Sequence, residues 1–260
     1  MSSKNMRVTI IGSGNVATHF AHNIAEAGHH IECVCSRTIS HAQALANTIG
    51  NCTSTSCLSD VPTTSDVYII SVSDNSISEV ANSMPKVNGI VAHTSGATSI
   101  DALAAHSHRA VIYPCQTFTK GDDIDFTHLP LLIEANDDTT FKAVNDFALS
   151  LSTNVSPVNT AQRQVLHVAA VLSSNFTNHL IGLAKQLMDN NDIDYHVLEP
   201  LVRQTVSKAF SIDPFEAQTG PARRGDDNTL NRHRQLITDG TTLDIYNLIT
   251  TSIRNRYTDK

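Results

Sequence analysis

The run Val8-Thr9-Ile10-Ile11-Gly12-Ser13-Gly14-Asn15-Val16-Ala17 constrains this chain more than any other. Val8 to Ile11, three of them β-branched and apolar, predict a buried strand. Gly12-Ser13-Gly14 follows as a turn, and Val16 to Ala27 predicts a helix. Strand, glycine turn and helix in that order form the opening of a dinucleotide-binding unit, in the G-x-G-x-x-A variant. Gly12 permits the tight turn, Gly14 lets backbone approach a pyrophosphate, and Ala17 keeps the helix close to the sheet. The helix N-terminus offers unpaired N–H groups and a positive dipole end, so Ser13, Asn15 and Val16 join the glycines as candidate cofactor contacts. The competing reading is a glycine turn that only packs.

Gly28 ends the first helix and His30 to Ser36 predicts the second strand. NAD-selective units carry an acidic side chain at the tip of this strand for the ribose 2′-hydroxyl. Glu32 lies too early in the strand for that, and the tip is Ser36-Arg37-Thr38. Two hydroxyls and a guanidinium suit a 2′-phosphate, which points to NADP(H). The alternative is a surface arginine in a helix-initiating loop. Further strands are predicted at Asp66–Val72, Gly89–His93, Ala110–Tyr113, Leu131–Glu134 and Val155–Val158, with helices at His41–Ile49, Ile77–Ser83, Ser99–His106 and Phe141–Leu151. Such alternation calls for an α/β fold with a doubly wound, mostly parallel sheet. Ligands bind beyond the carboxyl ends of such strands, which singles out Ser71, Val72, Ser73 and Ser95 for the cofactor, with His93 and Gln116 beside them.

From Thr160 onward the pattern is helical: Ala161–Asp189, Tyr195–Ser211, Thr229–Ile237 and Thr242–Arg256, with a loop from Asp213 to Asp227. The expected division is a nucleotide domain over residues 1–157 and an all-α substrate or dimerisation domain over 158–260. On a helical wheel Val165, Ala169, Leu172, Phe176, Leu180, Leu183 and Leu187 form one stripe, expected to be core. His167, Ser174 and Asn178 fall opposite, with Asn175 on the flank and no charge among them. That face suits a subunit interface or a cleft. His167 can serve as general acid/base for a carbonyl or imine, Asn175 can orient substrate or cofactor amide, and His93 is the rival acid/base. Against this stands a polar face satisfied at a helix–helix or dimer contact. Ser174 and Gln116 are candidate substrate contacts. Arg224, with Arg223, can bind a substrate carboxylate or pair with Asp226 and Asp227.

Of the chain's 260 residues, 40% are hydrophobic and 17% charged, with a formal net charge of -7, which speaks against a nucleic-acid or membrane-surface binder. Gln164–Ala184 lacks Asp, Glu, Lys and Arg but carries too many other polar groups for a membrane span. Five cysteines without C-x-x-C spacing, and a polar start from Met1 to Arg7 with no secretory signal, fit the reducing cytoplasm. Cys52 and Cys57 match no metal spacing, and the histidines make no ligand set, so no metal site is expected.

Over nearly its whole length the sequence resembles Rossmann-like proteins labelled NADP oxidoreductases, whose C-terminal half is a domain of unknown function. The marks are Gly12 to Ala17, Ser36-Arg37-Thr38, His93-Thr94-Ser95-Gly96, Tyr113-Pro114-Cys115-Gln116-Thr117-Phe118, His167-Val168-Ala169-Ala170 with Asn175-Phe176, and Thr219-Gly220-Pro221 with Arg224-Gly225-Asp226. More distantly it is similar to pyrroline-5-carboxylate reductases and to 6-phosphogluconate and β-hydroxyacid dehydrogenases. The resemblance implies NADP(H) binding and, with the uncharged helix face, a homodimer, but it names no substrate; the expected activity is an oxidoreductase acting on a small carbonyl, imine or deazaflavin-type acceptor. β-Hydroxyacid dehydrogenases place a catalytic Lys one turn before an Asn on the first long helix. Here Val171 stands one turn before Asn175, His167 two turns before it, and the next lysine is Lys185. The lysine mechanism therefore does not carry over. The reading from a different class is a non-catalytic NADP(H)-sensing protein acting through a dimer or partner contact.

Overall fold

The structure, a computed structural model, describes residues 5–257; residues 1–4, part of the polar start that speaks against a secretory signal, lie outside them. Two compact units divide the chain, Met1–Ser174 and Asn175–Lys260.

The first unit is built on β1 (Arg7–Ile11), α1 (Asn15–Glu26), β2 (His30–Cys35), α2 (Ile39–Ile49), β3 (Thr53–Thr55), β4 (Val67–Ile70), α3 (Ile77–Ser83), β5 (Ile90–His93), β6 (Arg109–Pro114), β7 (Leu131–Ala135), α4 (Asp138–Leu151), β8 (Val155–Pro157) and α5 (Thr160–Ala170). The strands form one sheet in the order β3-β2-β1-β4-β5-β6-β7-β8. All neighbours are parallel except β6 and β7, which pair antiparallel. The fold is thus the doubly wound, mostly parallel sheet that the alternation predicts.

Strand periodicity explains why both faces are covered. Val8 and Ile10 of β1 and Val67 and Ile69 of β4 enter one core with Phe20 and Ile24 of α1 and Phe147 of α4. Their alternates Ile11, Tyr68 and Ile70 enter a second core with Ile77 and Ala81 of α3. From β3 at one edge the chain returns to place β4 beside β1, so the order reverses between β1 and β4. A crevice at the carboxyl ends of those two strands is where such sheets bind ligands.

Several elements differ from expectation. The polar stretch Asn51–Ser59 contains the short strand β3, which extends the edge beside β2 by backbone bonds and needs no apolar pattern. Ser99–His106 is helical only as a 3₁₀ turn, Ile100–Leu103. The helix after β8 is interrupted: α5 runs into a π-turn, Val171–Asn175, before α6 (Phe176–Asp189). A π-turn holds one extra residue and rotates the helix beyond it, so a straight wheel over 161–189 misplaces residues across it. The boundary between the two compact units falls within this turn, with α5 packed on the sheet of the first.

The apolar stripe on these helices is also not core. Val165 is 71% exposed, Leu172 57% and Phe176 53%. Periodicity identifies residues that share a face, not what covers the face.

The second unit comprises α6, α7 (Glu199–Ser211), α8 (Pro214–Ala217), α9 (Pro221–Arg224), α10 (Asp227–Leu236) and α11 (Gly240–Tyr257). The Asp213–Asp227 loop therefore holds two short helices. Leu230 and Ala222 are buried in this unit, whereas Phe210, Leu201 and Leu248 stand in the open. Among the described residues no helix is long and apolar enough to cross a membrane.

Candidate active site

Gly12 lies at the switch point with φ +125°, and an added Cβ would sit 2.0 Å from the Ser71 carbonyl oxygen. Only glycine allows β1 and β4 to end so close together. Gly14, the N-cap of α1, has an ordinary φ of -76° and no side-chain cap, while the space where its Cβ would be is empty to 4 Å. First-turn N–H groups without a cap, an open approach and a 12-residue helix dipole are what a pyrophosphate requires. The Ser13 hydroxyl lies 2.8 Å from that of Ser36, which ties the glycine turn to the tip of β2. The Asn15 amide donates to the Phe118 carbonyl at 2.9 Å, so its side chain is already engaged. Val16 is half-buried against the core.

Arg37 is exposed and makes no hydrogen bond or ion pair among the described residues, with exposed Thr38 beside it. Glu32 points elsewhere. Its carboxylate accepts from Ser65 Oγ at 2.5 Å and pairs with Arg7 at 3.7 Å, at the opposite end of β2. A free cation at the strand tip and a committed carboxylate away from it fit a 2′-phosphate rather than a 2′-hydroxyl.

A series of contacts leads from this cradle across the strand ends. Thr94 Oγ1 donates to Ser71 Oγ at 3.2 Å. Val72 is half-buried, and exposed Ser73 is within 2.9 Å of Ser76. Ser95 is buried, with Oγ accepting from the Ala97 and Thr98 amides, so its hydroxyl shapes its own turn. His93 is fully buried, its Nδ1 accepting from the Ser95 amide at 3.2 Å and its Nε2 donating to the Ser99 carbonyl at 3.3 Å. Burial, aided by the charge of Arg163, pushes its pKa down to about 4. It is a neutral strut under the turn, with no nitrogen left for a substrate.

That turn is gripped from α5. Arg163, fully buried, donates through one nitrogen to the carbonyls of Ser95, Gly96 and Thr98 at 3.0, 3.1 and 2.7 Å. Its other nitrogen donates to Glu134 Oε2 of β7 at 2.9 Å. Glu134 also accepts from the Thr160 amide and hydroxyl, which fixes the start of α5. One turn after Arg163 comes His167. Its Nδ1 lies 3.2 Å from the Tyr113 hydroxyl, and a Cβ on Gly96 would fall 2.5 Å from that nitrogen. Cys115 packs in the cluster that holds Tyr113, and burial, then the neighbouring thiol, push the phenol up to about 12. Beside it Gln116 is exposed, its Oε1 taken by the Thr117 amide.

Ser174, at the end of the same unit, is half-buried. Asn175 and Arg224 belong to the second unit, where both are exposed. There Arg223 donates to the Glu216 and Gln218 carbonyls and stacks over Tyr257, a structural role. The Arg224 side chain makes no hydrogen bond or ion pair among the described residues, and its charge helps to hold the Asp226 carboxyl below its ordinary range. Among the described residues no three His, Cys, Asp or Glu side chains are placed to hold a metal ion.

Gly96, Tyr113, Arg163 and Glu134 are residues to which the sequence assigned no role, Gly96 and Tyr113 standing there only as marks of the resemblance. A signal existed for one: Arg163 immediately precedes the uncharged window Gln164–Ala184 and lies one turn before His167.

An open glycine turn at the switch point of a doubly wound sheet, linked along three strand ends to a histidine, defines a fold of the nucleotide-binding, Rossmann-like class. Similarity to known proteins makes this specific. Residues 7–105 match the family described as NADP oxidoreductase coenzyme F420-dependent, and residues 129–253 match a domain of unknown function, DUF2520. A protein of Bacteroides fragilis described as a "putative NADP oxidoreductase" is 31% identical, with 98% of this chain and 100% of that one covered and a TM-score of 0.89. A protein of Thermotoga maritima is 23% identical, with 95% and 98% covered and a TM-score of 0.78. A reductive aminase from Aspergillus terreus, in complex with NADPH and ethyl levulinate, shares the fold at 15% identity and a TM-score of 0.71, covering 98% of this chain and 95% of that one. No curated protein matches the chain. The chain belongs to the NADP oxidoreductase family that joins this nucleotide domain to DUF2520.

Proposed function

We propose that the protein is an NADPH-dependent reductase of a small carbonyl or imine compound, with His167 as the residue that delivers the proton. The carrying observation is the seating of His167: its ring is fixed against Gly96 and Tyr113 at the strand ends, in contact succession with the glycine cradle. The Gly14 amide region and the α1 N-terminus hold the pyrophosphate, and Ser36, Arg37 and Thr38 hold the 2′-phosphate. Ser71, Val72 and Ser73 line the approach to the nicotinamide. NADPH, when bound, supplies the hydride. His167 gives a proton to the oxygen or nitrogen of the acceptor and takes one back from solvent. Gln116 and Ser174 are proposed substrate contacts. His93 supports the turn and has no part in proton transfer.

The family's description also admits a deazaflavin acceptor, and an NADP(H)-sensing protein without chemistry is the reading from another class. The exposed stripe Val165, Val168 and Leu172 supports a homodimer, and five free thiols accord with a cytoplasmic setting. NADPH oxidation measured with ketones, cyclic imines and a deazaflavin separates these readings. Turnover with a carbonyl or imine is expected, with NADPH bound more tightly than NADH and the preference lost in Arg37→Ala. Binding without turnover of any acceptor supports the sensor. A preference unchanged in Arg37→Ala removes the 2′-phosphate assignment.

A further inference from the structure

The imidazole of His167 has two unlike sides. Nδ1 faces the protein, 3.2 Å from the Tyr113 hydroxyl and against Gly96. Nε2 takes no partner among the described residues. Shuttling a proton at Nε2 requires the other nitrogen to keep its hydrogen throughout, because an imidazolium that gives up Nε2–H becomes the Nδ1–H tautomer. The group opposite Nδ1 must then accept. No carboxylate fills that place: Glu134 is engaged by Arg163 and Thr160. The acceptor has to be the Tyr113 oxygen, and its own hydrogen needs another destination. Cys115 packs in the same cluster as Tyr113 and offers a thiol that can take that hydrogen.

We propose that Tyr113 is the positioning residue for His167, accepting from Nδ1–H while its hydroxyl donates to Cys115 Sγ, so that protons enter and leave the ring only at Nε2. This deepens, and rests on, the assignment of His167 as proton donor. The phenol keeps its own proton, since burial holds its pKa far above neutrality. A hydroxyl in this place differs from a carboxylate in consequence. It orients the ring without adding a negative charge that would trap the imidazolium. Gly96 permits the approach, and the grip of Arg163 on the Ser95, Gly96 and Thr98 carbonyls keeps that backbone where the ring needs it.

The test is nitrogen NMR of the full-length protein labelled at histidine nitrogens, with the His167 signals assigned by their loss in His167→Gln. At a pH where the ring is neutral, Nδ1–H is expected in the wild type. Free imidazole side chains favour the opposite tautomer, so the result is distinctive. Tyr113→Phe, which removes only the hydroxyl, is expected to shift His167 toward Nε2–H. It is also expected to lower kcat about tenfold or more, with KM little changed. Cys115→Ser, which keeps an acceptor, is expected to retain the wild-type tautomer, and Cys115→Ala to mix the two. Nε2–H in the wild type, or a tautomer unmoved by Tyr113→Phe, overturns the proposal even if the enzyme turns over. Nδ1–H that depends on Tyr113, in a protein without turnover, upholds the positioning and instead counts against the reductase reading.

Discussion

Gly12 and Gly14 lie two residues apart in one turn, yet physics assigns them different tasks. Gly12 combines φ +125° with a carbonyl oxygen 2.0 Å from where a Cβ would be, so Gly12→Ala strains backbone against backbone. It should destabilise the first unit by about 3 kcal/mol or more in urea unfolding. Gly14 has an ordinary φ and open space around it. Gly14→Ala should therefore cost no more than about 1 kcal/mol in unfolding, the loss of a favourable N-cap residue, yet weaken NADPH binding about tenfold or more. Wild-type NADPH affinity in Gly14→Ala would show that the pyrophosphate lies elsewhere. Both glycines are legible in the sequence because strand, turn and helix are local patterns. Arg37 is legible for the same reason, being defined by its place at a strand tip. Gly96 is not. Its need for hydrogen in place of a methyl comes from rings 17 and 71 positions further along the chain, at Tyr113 and His167, and nothing local announces them.

At the scale of elements, α5 is the piece whose role the sequence conceals most. Its stripe and its opposite face are visible on a wheel, but the wheel assigns the stripe to the core. In the fold the inward residues are Arg163, fully buried, and half-buried Leu166 and His167. Arginine is rarely an inward residue, and only the strand β7, 29 residues earlier, supplies the carboxylate that makes it one. Truncating Arg163 leaves three carbonyls without its donation and the Glu134 carboxylate without its cation, held by Thr160 alone. Arg163→Met should cost about 3–5 kcal/mol of stability. Arg163→Lys, which keeps the charge but not the fork, should recover only part of it. Equal stability of Arg163→Met and wild type in chemical unfolding would remove the clamp from this account. The π-turn after α5 is equally hidden, because nothing in its five residues, Val171-Leu172-Ser173-Ser174-Asn175, marks an extra residue within the helix.

Across the whole molecule, buried histidines make stability depend on acidity. His29, His93 and His106 are all pushed below their ordinary pKa by burial. His93 stays neutral in the folded chain down to about pH 4, whereas in the unfolded chain it takes up a proton near 6.5. Between those values the unfolded state binds more protons, so stability falls as pH falls, by about 3 kcal/mol from this residue alone. Unfolding midpoints measured from pH 7 to 4 should decline, and the decline should be shallower in His93→Gln. A flat profile would contradict the burial of these rings. The α/β architecture behind this was readable from alternation, since strands buried on both faces appear as short apolar runs between helices. The exposed faces of α6 and α7 were not, because no pattern within one chain states what covers it.

The central claim is that His167 supplies the proton for reduction. Its most direct measurement is single-turnover oxidation of NADPH, pre-bound to His167→Gln and mixed with an acceptor that the wild type reduces. The account predicts wild-type NADPH affinity with the rate of oxidation lowered about a hundredfold or more. Oxidation at the wild-type rate would contradict it.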